Sequence, residues 1–209
     1  MKTNSGAPKA IVCDFGLPPF RSRPVGTWDG FIAKYDQNGN LQRYTYFGGN
    51  DSLGEKVDQI LGIAVNNHNV YVTGYTESPD LFKGAVNYDD TIFEGTGDGF
   101  LAQFSGDLSS LKFFTYIGGK GIDRCHGIKI YQSGLNPIDI FIDGTTPSTD
   151  GIFAGTGFDN ALSGDLDGFV GKWEDDDGDG KFTKTWCTYI GGPGIERSRD
   201  LDVDNNGNI

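Results

Sequence analysis

The sequence predicts an all-β fold in which one four-stranded unit is repeated, and three observations support this prediction. First, a strand-like phrase returns at a fixed interval of 69 residues, as "DGFIAKY" from Asp29, "DGFLAQF" from Asp98 and "DGFVGKW" from Asp167. Second, glycine is abundant, with 33 among 209 residues, which suits a chain with many tight turns. Third, no stretch combines a helical period of apolar residues with helix caps.

Three other phrases complete the repeat, and each is typical of strands. The phrase "TYFGG" at Thr45 returns twice as "TYIGG". The phrase "GIAVNNHNVYVTGYT" from Gly62 is echoed by "GIKIYQSGLNPIDIFIDGTT" from Gly127, and a partial copy, "LDVDNNGNI", occupies residues 201–209. Because these phrases alternate in polarity or are rich in β-branched and aromatic residues, they favour strands over helices.

Turn signals separate the strand-like phrases. Asn-Gly and Asp-Gly pairs favour hairpin turns, because both positions of such a turn need a positive φ. We therefore expect turns at residues 38–39, 143–144 and 206–207.

Four strands per repeat, repeated along the chain, indicate a β-propeller, in which four-stranded antiparallel sheets called blades surround a channel. The phrases "DGFIAKYDQNGNLQRYTYFGG" and "ILGIAVNNHNVYVTGYT" resemble the bacterial SBBP repeat of seven-bladed propellers, over about residues 29–209. The chain departs from that repeat in carrying "DGF" in place of "DAF", and in an acidic insert at Asp175. The resemblance implies a propeller that belongs to a secreted or cell-surface protein.

The related NHL propeller repeat implies how the strands are ordered within a blade. By that resemblance the "GIAV" strand is innermost, "NVYVTG" is second, "DGFIAK" is third and "QRYTYFGG" is outermost. The resulting division is an N-terminal segment at 1–28, an outer half-blade at 29–49, blades at 60–119 and 127–192, and a partial blade at 198–209. Because a ring needs about four blades or more, we expect a β-propeller fragment whose remaining blades belong to the same polypeptide.

Composition narrows the classes of function. The net charge of −12 argues against a nucleic-acid partner, because phosphate binding needs basic patches. No run of 18 apolar residues is present, so membrane insertion is not expected. Cys13, Cys125 and Cys187 are too few and too scattered for a disulfide framework or a zinc site. The strand order also places Cys125 and Cys187 too far apart to form a disulfide.

The sharpest candidate site is the acidic stretch "EDDDGDGKF". Asp175, Asp177 and Asp179 match the opening of calcium-binding loops, in which alternate carboxylates converge on one ion. The match then fails, because Thr183 and Trp186 stand where such loops carry further acidic ligands. The stretch is therefore either a calcium site or a solvated acidic turn, and no other cofactor is expected.

A second candidate is an acid–base pair that follows each "GG". The pairs are Glu55-Lys56, Asp123-Arg124 and Glu196-Arg197. Because a catalytic residue normally occurs once per ring, a pair that recurs in every repeat favours a structural role, such as pinning the loop between two blades.

His68 and His126 have no counterpart in the other repeats, and neither accompanies a recognisable nucleophile elbow.

The segments between the second and third strands, residues 77–97 and 147–166, are the most individual parts of the repeats. Their aromatic residues include Phe82, Tyr88, Phe93, Phe153 and Phe158. We expect these loops to gather on one face, around the channel mouth, where loops on a rigid scaffold commonly bind a partner. The alternative is that the aromatic rings fill the groove between blades.

These observations favour a non-enzymatic scaffold, extracellular or on the cell surface, that binds a protein or a glycan through its long loops. A purely architectural repeat is the alternative. A propeller glycosidase or lyase is less favoured, because an enzyme should show a blade-specific cluster of acidic, arginine and tyrosine residues that breaks the repeat. The acidic stretch is the only such break.

Overall fold

The structure is a computed structural model that describes residues 19–50, 54–81, 83, 85–88, 92–134, 137–151, 157–175 and 178–209. The described residues form these strands: β1 (Gly30–Tyr35), β2 (Leu41–Phe47), β3 (Asp58–Asn66), β4 (Asn69–Thr76), β5 (Asn87–Tyr88), β6 (Asp98–Ser105), β7 (Leu111–Ile117), β8 (Arg124–Tyr131), β9 (Asp139–Thr146), β10 (Asp167–Glu174) and β11 (Thr183–Ile190). The predicted all-β class is confirmed.

The strands lie in three sheets. The first sheet pairs β1 with β2, the second has the order β3-β4-β6-β7-β5, and the third has the order β8-β9-β10-β11. The second and third sheets each contain four antiparallel strands, and the order of these four strands in space is the same as their order in the sequence. The two-residue β5 runs parallel to β7 at the sheet edge.

The second and third sheets share a local irregularity at the same place. The register of β3 shifts between Ile60 and Gly62, and that of β8 shifts between Cys125 and Ile128. Both shifts lie in the "GI" phrase, so the repeated sequence produces a repeated bulge.

Two of the three predicted turns are confirmed, and one is wrong. Gly39 and Gly207 have φ values of 80° and 83° and lie in turns. Residues 143–144 instead lie within β9. A Cβ on Gly144 would lie 2.1 Å from the carbonyl oxygen of Arg124, so this glycine permits two strands to approach closely rather than making a turn.

The core consists of two apolar clusters, one on each face of the second sheet. Phe100 on β6 and Phe114 on β7 belong to the cluster shared with the first sheet. Their neighbours Leu101 and Phe113 belong to the cluster shared with the third sheet. Since successive residues of a strand point to opposite faces, the second sheet is buried on both sides, which explains why β6 is apolar almost throughout.

Residues 198–209, predicted as the first strand of a later repeat, form no strand in the structure. They lie against β8, where a ring nitrogen of His126 is 2.7 Å from the carbonyl oxygen of Ser198. The Tyr131 hydroxyl donates to the Asn205 carbonyl at 3.4 Å. An extended segment forms a β-strand only when its backbone hydrogen-bonds to a neighbouring strand, and no described segment pairs with residues 198–209 in this way.

We expect Gly74→Ala to destabilise the chain by about 2 kcal/mol or more, because overpacking of a close contact forces strands apart. A Cβ at this position would lie 1.8 Å from the carbonyl oxygen of Gln59. Gly192→Ala is the matched control, since the nearest atom to its Cβ is 4.0 Å away. Urea unfolding measures both variants, and equal midpoints for them would contradict the strand packing described here.

Candidate functional site

The most regular feature of the structure is the hydrogen bond that joins each sheet to the next. In three copies an acidic residue donates its backbone N–H to the residue that precedes "DGF" in the sheet before it. Asp58 is the first residue of β3, Asp123 directly precedes β8, and Glu196 follows the third sheet. The donors are Asp58, Asp123 and Glu196, and the acceptors are the carbonyl oxygens of Trp28, Gly97 and Leu166, at 2.8, 2.9 and 2.8 Å. We call Asp58, Asp123 and Glu196 the junction acids.

The carboxylate of each junction acid makes a second bond to the previous sheet, at the second glycine of "GG". Gly49 N–H donates to Asp58 at 2.7 Å and Gly119 N–H donates to Asp123 at 2.8 Å. The third copy is Gly192 N–H to Glu196, at 3.2 Å. One acidic residue therefore bonds to the ends of two strands of its neighbour.

The same arrangement after the second strand completes both buried junctions. The Ser78 hydroxyl donates to Asp58 at 2.9 Å, and the Ser148 hydroxyl donates to Asp123 at 2.9 Å. The carbonyl oxygens of these serines accept the hydroxyls of Tyr116 and Tyr189, at 2.8 and 2.6 Å. The tyrosine of "TYIGG" thus supports the serine that holds the junction acid.

Burial raises the pKa of the Asp58 and Asp123 carboxyls, while their hydrogen bonds act in the opposite direction. Both side chains are almost wholly buried, at 4% and 0% exposure. A carboxylate that accepts several structural donors and is shut off from solvent has no access to a substrate. The arrangement therefore acts as a joint between sheets.

The predicted acid–base pair is wrong in its first copy. Glu55 was expected to be the equivalent of Asp123, but Asp58 occupies the equivalent position and Glu55 is exposed. The loop after "GG" is longer in the first copy, so counting forward from "GG" fails. Counting back from the "GI" phrase succeeds, because Asp58 and Asp123 each lie four residues before its glycine. The expected role, pinning the connection between repeats, agrees with these contacts.

Cations lie near both buried junctions and come from different places in the sequence. At the first junction Arg21 donates a hydrogen bond to the carbonyl oxygen of Gly48, and Asp29, Asp80 and Asp58 favour its charged form. At the second junction Lys120 forms an ion pair with Asp150 at 2.8 Å. These cations offset part of the cost of gathering carboxylates at one end of the sheets.

The predicted calcium ligands are only partly placed by the structure. Asp175 accepts the N–H of Gly180 at 3.1 Å. Asp179 accepts the backbone N–H of Lys181 at 2.8 Å and forms an ion pair with the Lys181 ammonium group at 2.8 Å. Asp177 lies outside the described residues, among which no group of three His, Cys, Asp or Glu side chains could hold a metal ion.

The end of the acidic stretch has a packing role that the sequence analysis missed. Phe182 is 3% exposed and belongs to the cluster between the second and third sheets. Its ring lies edge-on to those of Tyr71 and Phe113, with centroids 5.9 and 5.3 Å away. An apolar residue after an acidic turn could have suggested such an anchor.

The cysteines and histidines take structural positions. Cys125 and Cys187 are buried and free, which confirms the predicted lack of a disulfide between them. Burial raises the pKa of Cys187 to about 12, so its thiol stays protonated near neutral pH. His126 faces the Ser198 carbonyl, and burial lowers its pKa. His68 lies in the turn between β3 and β4 with a φ of 62°.

The predicted partner-binding aromatics occupy different surroundings. Phe93 packs edge-on against Tyr116, with centroids 5.6 Å apart. The backbone of Tyr88 pairs with Phe114 in β7, and Phe158 is fully exposed. The remaining two, Phe82 and Phe153, lie outside the described residues.

The described parts of the long segments lie in two places. Ser78 and Ser148 lie at the junctions, and other parts run beside the outermost strands. Tyr189 N–H on β11 donates to the Asp159 carbonyl at 3.0 Å, and Val86 N–H donates to the Leu111 carbonyl on β7 at 3.1 Å. Backbone groups at the sheet edges need partners, and these segments supply them.

No model of a protein family matches this chain, and a search of curated proteins finds no significant match. The resemblance to SBBP repeats therefore stays a prediction from the quoted phrases. Within the described part of the chain, no helix has the length and apolar character needed to cross a membrane.

We expect Asp123→Ala to lower the free energy of unfolding by about 2 to 4 kcal/mol at neutral pH, because the Gly119 N–H and the Ser148 hydroxyl lose their acceptor. Glu55→Ala, the exposed acid chosen by the sequence alignment, is the control and should change stability by about 0.5 kcal/mol at most. Urea unfolding that ranks the two variants in the reverse order would contradict the junction.

The raised pKa of Asp123 also predicts a pH dependence. The folded chain holds this proton more tightly than the unfolded chain, so the associated stability is present below the ordinary carboxyl pKa of about 4 and is lost as the pH rises through the folded pKa. Asp123→Asn removes the titration. The free energy of unfolding of the parent should therefore fall relative to that of Asp123→Asn as the pH rises above about 4. Parallel pH profiles would show that Asp123 has no raised pKa.

The calcium hypothesis stays a prediction with a direct test. If the acidic stretch binds calcium, calorimetry should show binding to the parent that Asp177→Ala and Asp175→Asn weaken strongly, because each removes a carboxylate ligand. Asp165→Ala is the control, since Asp165 is exposed and lies outside the stretch. Equal binding by all four proteins would place the site elsewhere.

Proposed function

We propose that this chain is a non-enzymatic β-propeller repeat region of a larger secreted or cell-surface protein, and that it serves as a scaffold for binding a protein or a glycan. The observation that carries the proposal is the recurrence of the junction, which joins the first sheet to the second and the second to the third, and whose backbone bonds return after the third sheet at Glu196. Sheets joined by one repeated contact turn by one repeated angle, as the blades of a propeller do.

The contacts between first strands support a radial arrangement. A Cβ on Gly62 in β3 would lie 2.7 Å from the carbonyl oxygen of His126 in β8. A Cβ on Gly127 in β8 would lie 2.9 Å from the Asp200 carboxylate in the next repeat. The glycine of the "GI" phrase thus lies at the contact with the following repeat in both copies. Propeller blades contact one another most closely around the channel.

The described titratable groups favour a scaffold over an enzyme. Asp58 and Asp123 accept hydrogen bonds from structural donors, and burial raises the pKa of both thiols. His126 faces a backbone carbonyl. Among the described residues no open cleft brings a nucleophile, a base and an oxyanion donor together, as a hydrolase or lyase site requires.

The long segments between the second and third strands, residues 77–97 and 147–166, provide the binding surface in this proposal. Val86, Ile92 and Phe158 are 71%, 66% and 102% exposed, and all three lie between the second and third strands of a repeat. Exposed apolar residues on segments fixed to a rigid sheet are typical of partner-binding surfaces. An architectural role is the second candidate, favoured by the packing of Phe93 and by the pairing of these segments with the sheet edges.

The experiment is a binding screen of the parent chain against a glycan array and an array of extracellular protein domains. We expect a ligand with a dissociation constant of about 100 μM or tighter, and we expect Phe158→Ser to weaken its binding about tenfold or more, because exposed aromatic rings dominate such contacts. Phe31→Ser is the matched control, since Phe31 is 66% exposed on β1, away from the long segments. A ligand that binds all three proteins equally would refute this surface, and no ligand at all would favour the architectural role.

A further inference from the structure

A polar pocket of about 360 Å³ lies between the second and third sheets, at the end that holds the turn between β3 and β4. One wall consists of Asn66 and Asn67 from this hairpin, Tyr71 on β4 and Gln103 on β6. The connection between β10 and β11 contributes Asp175 to the other wall. A concave site of this size with several convergent polar groups is typical of small-molecule binding.

Two of these residues depart from the internal repeat. Gln103 stands where the "DGF" phrase has Lys34 in β1 and Lys172 in β10. Tyr71 stands where β9 has Phe141, and it lies opposite Gln103 as Phe141 lies opposite Lys172. The Gln103 side-chain amide donates to the Tyr71 hydroxyl at 3.0 Å. The two departures therefore form one hydrogen-bonded pair at the pocket.

Packing alone does not account for this polar pair. Tyr71 and Gln103 are 3% and 7% exposed, and buried polar groups lower stability unless their hydrogen bonds are made. Phe141 is equally buried at the equivalent position without a hydroxyl. Among the described residues, none donates to the amide oxygen of Gln103. This oxygen is available to a donor in the pocket.

The acidic stretch, which also breaks the repeat, supplies the carboxylate of the pocket. One carboxylate oxygen of Asp175 accepts the Gly180 N–H at 3.1 Å. The other, Oδ1, is buried and has no hydrogen-bond partner in the described part of the chain. Both departures from the repeat thus bring acceptors without donors to the same place.

The charge of the pocket favours a neutral ligand. Asp175 is the one charged side chain among the described lining residues, and the Lys112 ammonium group donates to the side chain of Asn69, another lining residue, at 2.9 Å. Amides and hydroxyls both donate and accept hydrogen bonds. Sugar hydroxyls do the same, so a lining of amides, one phenol and one carboxylate matches them.

We propose that this pocket binds a neutral sugar unit of a glycan, with Tyr71, Gln103 and Asp175 as its main polar contacts. The amide oxygen of Gln103 and the carboxylate of Asp175 accept hydrogen bonds from sugar hydroxyls. The inference goes beyond the proposed function, because it assigns a ligand class to a surface distinct from the long segments, and it holds even if those segments bind nothing.

The test uses the full chain and glucose, galactose, mannose and N-acetylglucosamine as probes. We expect at least one of them to bind with a dissociation constant of about 1 mM, a value that fits a ligand as small as one sugar ring. Two-dimensional NMR spectra should show shifts of the backbone amides of Asn67 and Gly180. The amides of Gly49 and Gly119 at the junctions should not shift.

Two variants take the residues that the repeat itself places at these positions. Tyr71→Phe should weaken binding about fivefold or more, because it removes one hydrogen-bonding group and keeps the ring. Gln103→Lys should weaken it about tenfold or more, because the ammonium group would occupy the pocket beside Asp175. Tyr35→Phe is the matched control and should bind as the parent does, since Tyr35 is 59% exposed and outside the pocket. Urea unfolding verifies that each variant is folded.

Three results would overturn the proposal. The first is a lack of binding of every probe sugar to the parent. The second is equal binding by the parent, Tyr71→Phe and Gln103→Lys. The third is binding that disappears when calcium is removed, which would make an ion the contact for the sugar. A sugar that Phe158→Ser loses and Tyr71→Phe retains would support the long segments as the binding surface and would also overturn this pocket.

Discussion

A buried acidic residue at the start of a sheet, bonded twice to the sheet before it, is the contact on which the rest of the structure depends. In the second junction Asp123 donates its N–H to Gly97 and accepts the N–H of Gly119, so it ties together the start of one strand and the end of another. Since β6 begins directly after Gly97 and β7 ends directly before the "GG" pair that contains Gly119, both strands are fixed relative to β8. The apolar cluster between the sheets can then form in a single arrangement.

The same contact explains why several short phrases recur together. A Cβ on Gly118 would lie 2.4 Å from a carboxylate oxygen of Asp98, so the "GG" and "DGF" phrases fit only as a pair. Ser148 is needed to donate to Asp123, and Tyr189 is needed to hold Ser148. A buried carboxylate is costly unless every one of its donors is present. Loss of any member therefore raises the cost of all the others.

The sequence was sufficient for the parts of the fold that depend on local pattern. Alternation and β-branched residues located the four strands of each repeat, and an Asn-Gly pair located the turn at Gly39. The parts that depend on contacts between distant residues were not predictable in this way. Asp143-Gly144 looks like a turn, but its glycine is required by the backbone of Arg124, which is distant in sequence. Phe182 looks like part of a solvated turn, but it fills a gap between two sheets.

For the candidate sites, too, the features that depend on local sequence were predictable and those that depend on distant contacts were not. The acid–base pairs were recognised from their recurrence, and their structural role was expected, but the member in the first repeat was misassigned because loop length varies there. The long segments were recognised as individual, but their pairing with the sheet edges depends on which strand is outermost.

Native-state hydrogen exchange at the second junction tests this account most directly. If the junction holds the sheets together, the amides of Gly119 and Asp123 should exchange only through global unfolding, with the same free energy of opening as the central strands β4 and β6. The half-exposed junction at Glu196 should open more easily. Exchange of the Gly119 and Asp123 amides by local opening, while β4 and β6 remain protected, would show that the sheets are held by apolar packing alone and would contradict the account.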